Sequence, residues 1–219
     1  IPGRAEYLKG AQEAARAAGA VFVLDEVQAL RNAYHGIHES IGLRPDLILM
    51  GKIIGGGLPV GAVGGRAELM QLTAANRPNS LGHPGTFNGN VLGTAAGVES
   101  LRHLDEAAID RLNANAARLS ASIEGAGARA GMPVTVTRFG SIMHVHHLSS
   151  APANAAEAAM APAELTTALH LALLVEGVFA APRGMLNLST TLSDHQVDEV
   201  ATAYQRALSR IAASVPAAV

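Results

Sequence analysis

Three short apolar runs punctuate the first third of the chain, and each is closed by charge or by glycine. Val21-Phe22-Val23-Leu24 stops at Asp25-Glu26. Leu47-Ile48-Leu49-Met50 follows Arg44-Pro45-Asp46 and stops at Gly51-Lys52. A weaker run, Val60 to Val63, lies among glycines. Unbroken apolar runs of this length are the mark of strands buried on both faces of a parallel sheet. Ahead of the first run, residues 11–18 form a helix that Gly19 stops. Strand, crossover and strand together give a βαβ pattern.

Beyond Asn88 the period changes. Residues 91–104 and 107–123 predict two helices, the second with Ile109, Leu112, Ala116, Leu119 and Ile123 at helical spacing. Residues 134–137 and 141–147 read as strands, and the Ala- and Pro-rich stretch 149–162 as an exposed loop. A helix over 163–176 stops at Gly177, and 178–181 with 186–190 look like a strand pair. Ser193-Asp194-His195-Gln196 is a capping box, so a last helix runs from there to about Ile211. The chain thus divides into an α/β piece, residues 1–105, and a smaller α+β domain, residues 106–219.

Composition narrows the function classes. An apolar fraction of 49% over 219 residues supports a real core. The sixteen basic residues are scattered and net charge is −2, so there is no basic stripe for a nucleic acid. Cysteine is absent, which leaves neither disulfides nor thiolate metal sites. No apolar run reaches the roughly 20 residues of a membrane helix, and no signal peptide opens the chain. A soluble cytoplasmic protein with no metal is the expectation. Ile1-Pro2-Gly3 reads like a loop leaving a structure already in progress.

The chemistry centres on the ends of the two strands. In open parallel sheets ligands bind beyond the carboxyl ends of the strands, where Asp25 and Lys52 both fall. A structural ion pair between them is one reading. Gly51, Gly55, Gly56, Gly57, Gly61, Gly64 and Gly65 crowd around Lys52 and favour another, since glycine lets the backbone approach a ligand closely. The lysine precedes the glycines, unlike a Walker loop. A lysine on such a turn, in a dry pocket beside a carboxylate, suits an amine that attacks an aldehyde, with the carboxylate holding a proton on a pyridine ring. Residues 83–90, His-Pro-Gly-Thr-Phe-Asn-Gly-Asn, lead into a helix and offer a hydroxyl and N–H groups to an anion, although Thr and Asn also cap helices.

The run Val23-Leu24-Asp25-Glu26-Val27, then Pro45-Asp46-Leu47, then Gly51-Lys52-Ile53-Ile54-Gly55-Gly56-Gly57-Leu58-Pro59-Val60-Gly61-Ala62 resembles the class III aminotransferases of pyridoxal-phosphate (PLP) fold type I. The resemblance is strong over residues 1–105 and extends in outline over the rest. It implies that Asp25 binds the pyridine nitrogen of pyridoxal 5′-phosphate, that Val27 packs on the ring face and that Lys52 carries the cofactor as a Schiff base. Thr86 matches a threonine that reaches the cofactor phosphate of the neighbouring subunit, which implies a homodimer with shared sites. Gly85-Thr86-Phe87-Asn88-Gly89-Asn90 and Pro182-Arg183-Gly184-Met185 look most like the β-amino-acid (β-phenylalanine) aminotransferases, relatives of glutamate-1-semialdehyde aminomutase. Members of the family carry an N-terminal part before the position of Ile1, with a phosphate loop, a ring-stacking aromatic and the opening strands. The resemblance therefore implies that residues 1–105 are the C-terminal part of the PLP-binding large domain, its N-terminal part lying in the same chain or another.

Arg183 stands where the family often places an arginine for the substrate carboxylate, a group that a guanidinium holds through two parallel hydrogen bonds. A surface ion pair is its alternative. His144, His146 and His147 alternate in a way that suggests metal binding, but only the first two share a strand face and no third ligand is evident, so a strand with one polar face is the expectation; His35 has no evident role. Glu26 points to the other side of the strand from Asp25 and reads as structural. The implied activity is a transaminase moving an amino group between an amino acid, β- or ω-amino acids foremost, and a keto acid. An aminomutase with the same residues and a non-catalytic fragment or subunit are the alternatives.

Overall fold

A computed structural model describes residues 1–214. The described residues form two compact units, one of residues 3–109 and one that takes Ile1 and Pro2 with residues 110–214.

The first unit opens with helix α1 (Ala5–Ala17), which Gly19 ends in a left-handed conformation (φ +65°). Strand β1 (Val23–Asp25) follows, then an excursion through a 3-10 turn (Leu30–Asn32) and the short helix α2 (Ile37–Ser40). Strand β2 (Leu47–Gly51) lies parallel to β1, with Val23 beside Leu47 and Asp25 beside Leu49. A 3-10 turn over Lys52–Gly55 leads to strand β3 (Gly61–Gly65), which runs antiparallel to β2, Gly61 pairing with Gly51. Helices α3 (Ala67–Met70) and α4 (Val91–Arg102) complete the unit. The three runs seen in the sequence are therefore the three strands, but the sheet is mixed. Burial on both faces is not realised within the described residues: Val23 is 44% exposed and β2 only half-buried.

The second unit has the fuller core. From Asp110 on, helix α5 (Glu106–Arg129) buries Leu112, Ala116, Leu119, Ile123 and Ala126, and with Ile109, just inside the first unit, these make the stripe read from the sequence and one turn more. Strands β4 (Thr135–Phe139) and β5 (Ile142–His146) form a hairpin whose second strand buries Met143 and Val145. The 149–162 stretch is a loop interrupted by the short helix α6 (Ala155–Ala158), and α7 (Ala163–Val175) follows. Residues 178–181 are not a strand. Val178 N–H bonds back to Leu173 C=O, closing the left-handed Gly177 helix end, and Pro182 has no N–H to give a ladder. Strand β6 (Met185–Asn187) pairs instead with β5. The capping box is present, Ser193 Oγ accepting from Gln196 N–H and Gln196 Oε1 from Ser193 N–H, and it starts helix α8 (Asp194–Ser214). Among the described residues no helix is long and apolar enough to cross a membrane.

Candidate active site

The parallel register brings three of the sequence candidates together. Beyond β1, Glu26 N–H donates to Leu49 C=O at 2.9 Å, so pairing continues one residue past the strand. Val27 comes to Gly51: a Cβ on that glycine would stand 3.2 Å from Val27 Cγ1. Lys52 follows directly, so Asp25, Val27 and Lys52 share the carboxyl ends of neighbouring parallel strands. Asp25 Oδ1 accepts from Val27 N–H at 2.8 Å, which leaves its second oxygen for another partner. Asp25 and Lys52 form no ion pair with each other among the described residues, so the structural-pair alternative fails. Both are exposed, and the dry pocket expected around Lys52 is not closed by the described residues.

Lys52 has a positive φ of 51°, a conformation shared among the described non-glycine residues only by Asn79. A left-handed L-residue costs about 1–2 kcal/mol and persists only where its surroundings over-determine it. Helix α4 supplies those surroundings. A Cβ on Gly97 would run into the carbonyl of Ile54, one on Gly56 into the carbonyl of Ala96, and one on Gly93 would stand 2.9 Å from Val60 Cγ2. The turn that carries Lys52 therefore rests backbone to backbone on α4. Gly97→Val in the full-length protein is expected to destabilise by at least about 1–3 kcal/mol through overpacking. Gly10→Ala, in α1 with open space around it, is expected to be neutral or to stabilise by up to about 1 kcal/mol. Denaturant melts compare them, and equal effects would mean the α4 contact carries no constraint.

Thr86 lies in an exposed turn ahead of α4. Gly85 C=O accepts from Asn88 N–H at 3.0 Å and Asn88 Nδ2 donates to His83 C=O at 2.9 Å, so the loop is internally braced. Asn90 is the residue that caps α4, its Oδ1 accepting from Gly93 N–H at 2.9 Å, and the Thr86 hydroxyl is not used for capping. The loop forms one wall of an open cleft of about 670 Å³, with Pro59, Val60, Met70, Thr73 and Thr94 among the others. The lining includes neither Thr86 nor the Asp25–Lys52 pair.

Arg183 belongs to the second unit, in the turn before β6 rather than in a strand. Its side chain is exposed and reaches Met185 Sδ at 3.3 Å, and its carbonyl accepts from His144 Nε2 at 2.6 Å. It makes no ion pair with a described carboxylate, so the surface-pair alternative is not found. His144 and His146 lie side by side on β5, ring centres 4.5 Å apart, and His146 Nε2 meets Thr137 Oγ1 at 2.9 Å. Burial first, then the neighbouring His144, pushes His146 down from 6.5 to about 4. The folded state thus binds this proton less readily than the unfolded chain. Stability should be full above about pH 6.5 and should fall as pH drops toward 4. Melts of wild type and His146→Gln across that window check this; parallel curves would remove His146 as the source.

The aminotransferase class-III family model matches residues 1–208.

This chain belongs to that family. It is 36% identical over 204 residues to the β-phenylalanine transaminase of Variovorax paradoxus, covering 93% of this chain and 47% of that protein. It is also 36% identical over 214 residues to glutamate-1-semialdehyde 2,1-aminomutase 2 of Geobacillus kaustophilus, covering 96% and 49%. A solved transaminase with PLP bound superposes with a TM-score of 0.88 at 31% identity, over 98% of this chain and 50% of the other. The chain therefore spans about half the length of the curated relatives it matches. The α/β fold of fold type I aminotransferases, expected from the sequence, is the fold found, although the three described strands of its first sheet are mixed where a mostly parallel sheet was expected.

Two features escaped the sequence reading. The pair Gly93 and Gly97, four apart in α4, signals a close helix contact, but nothing in the sequence says that the contact is the lysine turn. Glu26 was legible as pointing away from Asp25, whereas its partners, eleven and twelve residues on, were not.

Proposed function

We propose that the whole protein is a PLP-dependent transaminase that exchanges an amino group between an amino acid and a keto acid. The observation that carries this is Lys52, held in a left-handed conformation between Gly51, packed on Val27, and a turn braced by α4. Strain kept at one lysine, on the strand end next to the one that carries Asp25, is expected of a residue whose amine must stand at one point. The residues present suit pyridoxal 5′-phosphate: Lys52 for its aldehyde, Asp25 for its ring nitrogen and Val27 for its ring face. When bound, it supplies a carbonyl that links to amines and a protonated ring that draws electrons from the substrate carbon. Lys52 would supply the amine that holds it and, once displaced by the substrate, the base that takes a proton from the substrate carbon. Borohydride reduction of the full-length enzyme followed by peptide mapping tests this; cofactor found on Lys9, or on no lysine, defeats it.

In this reading residues 1–105 are the C-terminal part of the cofactor-binding large domain and residues 106–219 the small domain. Thr86, not used as a cap, would serve the phosphate of a neighbouring subunit, so the working unit is a homodimer. Arg183, exposed and without a carboxylate partner, would hold the substrate carboxylate. Arg183→Ala is expected to weaken amino acids by about 1.5–3 kcal/mol, the worth of hydrogen bonds to a charged group, and to spare amines that lack a carboxylate. Steady-state KM for both substrate types reads this out, and equal losses would make the arginine structural.

A glutamate-1-semialdehyde-type aminomutase is the second reading, supported by the equal 36% identity to an enzyme of that name. A mutase returns the amino group to the same carbon skeleton and consumes no keto acid. Turnover of β-phenylalanine that requires an added keto acid supports the transaminase.

A further inference from the structure

Glu26 is the most buried charged side chain of the first unit, with 1% of its surface exposed. A carboxylate there needs donors to offset its lost hydration. It has three. Oε1 accepts from His38 N–H at 2.7 Å and meets His38 Nδ1 at 2.9 Å, and Oε2 accepts from Ile37 N–H at 3.1 Å. Gly36, with φ +84°, permits the approach, since a Cβ there would stand 2.7 Å from Oε2. The intervening chain folds back on itself, Leu30 N–H bonding to Glu26 C=O and Leu43 N–H to His38 C=O, with Leu43 fully buried.

We propose that Glu26 is a positioning residue for the Asp25–Val27 segment, tying it through a buried carboxylate to Ile37 and His38 at the start of α2. Successive residues of an extended strand point to opposite sides, so Asp25 faces outward while Glu26 anchors inward. The backbone at Glu26 is held from one side by Leu49 C=O and from the other by its own side chain. A turn of the chain about Glu26 would swing both of its neighbours, the two residues assigned to the cofactor ring. A buried charge with three donors resists that turn, because any rotation breaks more than one charged hydrogen bond.

The proposal rests on the PLP reading above, and its test is built to separate the two. In the full-length, cofactor-loaded enzyme, labelling of Lys52 by borohydride and the visible spectrum of Asp25→Asn are read first. If either fails, the PLP reading falls and takes this proposal with it. If both succeed, Glu26→Gln is measured. The amide keeps the shape but presents an NH2 to N–H donors in place of one oxygen. Cofactor dissociation is expected to rise roughly tenfold, the absorption maximum to move in the direction seen for Asp25→Asn, and kcat to fall roughly 10–100-fold with KM little changed, as for a displaced group. A lowered melting temperature with wild-type spectrum, cofactor retention and kcat would make Glu26 merely structural and overturn the proposal. Should Glu26→Gln fail to fold, His38→Ala takes its place, because it removes only the ring contact and keeps both backbone donors. A smaller spectral shift of the same sign supports the tie, and an unchanged spectrum overturns it.

Discussion

Lys52→Ala in the full-length enzyme is expected to lower transamination by roughly 10⁴-fold or more while cofactor still binds. Two contributions disappear together. The first is the amine that holds the aldehyde and yields it to the substrate, and the second is the base that moves a proton between two carbons, which alone is worth roughly 10²–10⁴-fold. The strain at Lys52 (φ 51°) gives the variant a second signature. Alanine at a left-handed position relieves nothing, so Lys52→Gly should be the more stable of the two although both are inactive. A small primary amine added to Lys52→Gly should restore part of the rate, since it can carry the proton the side chain carried. Single-turnover rates with and without the added amine, beside denaturant melts, measure all three effects. Either variant turning over within tenfold of wild type would remove Lys52 from the chemistry.

What the sequence made legible follows from how local each feature is. The strands at Val23–Asp25 and Leu47–Gly51 announce themselves as apolar runs, and the charges that end them mark the carboxyl edge of the sheet. The α5 stripe and the Ser193–Gln196 box are likewise written within a turn or two of the residues concerned. Direction is not local. Val60 to Val63 reads as a strand either way, and only its pairing, Met50 beside Ala62, makes it antiparallel. The same holds for residues 178–181, whose apolar character suits a strand but whose N–H groups are consumed by the α7 end or absent at Pro182. At the site, Asp25 and Lys52 are recognisable from sequence because their strands end together. The braces behind them come from elsewhere in the chain, α4 for the Lys52 turn and the start of α2 for Glu26 beside Asp25, and no local pattern carries such a pairing.

Asp25→Asn is expected to slow proton removal from the substrate by about 10³-fold and to leave the fold intact. The geometry favours a clean substitution: Oδ1 accepts one hydrogen bond, from Val27 N–H at 2.8 Å, and an amide oxygen can take its place. What is lost is charge. A close ion pair between a carboxylate and a protonated nitrogen is worth about 4 kcal/mol at an effective dielectric of 20, and each 1.4 kcal/mol is tenfold, which gives the factor. The amide cannot hold that proton on the nitrogen, so the ring draws electrons less well and the barrier to proton removal rises. Because Asp25 is exposed among the described residues, this dielectric suits a part-hydrated site, and closure by the rest of the protein would enlarge the effect. The loss should fall on kcat, with little change in KM, since it concerns charge that develops as the proton leaves. A deuterium isotope effect at the substrate carbon should grow in Asp25→Asn as that step becomes limiting. Turnover within tenfold of wild type, or a loss confined to KM, would mean that Asp25 holds the loop after β1 and not the ring.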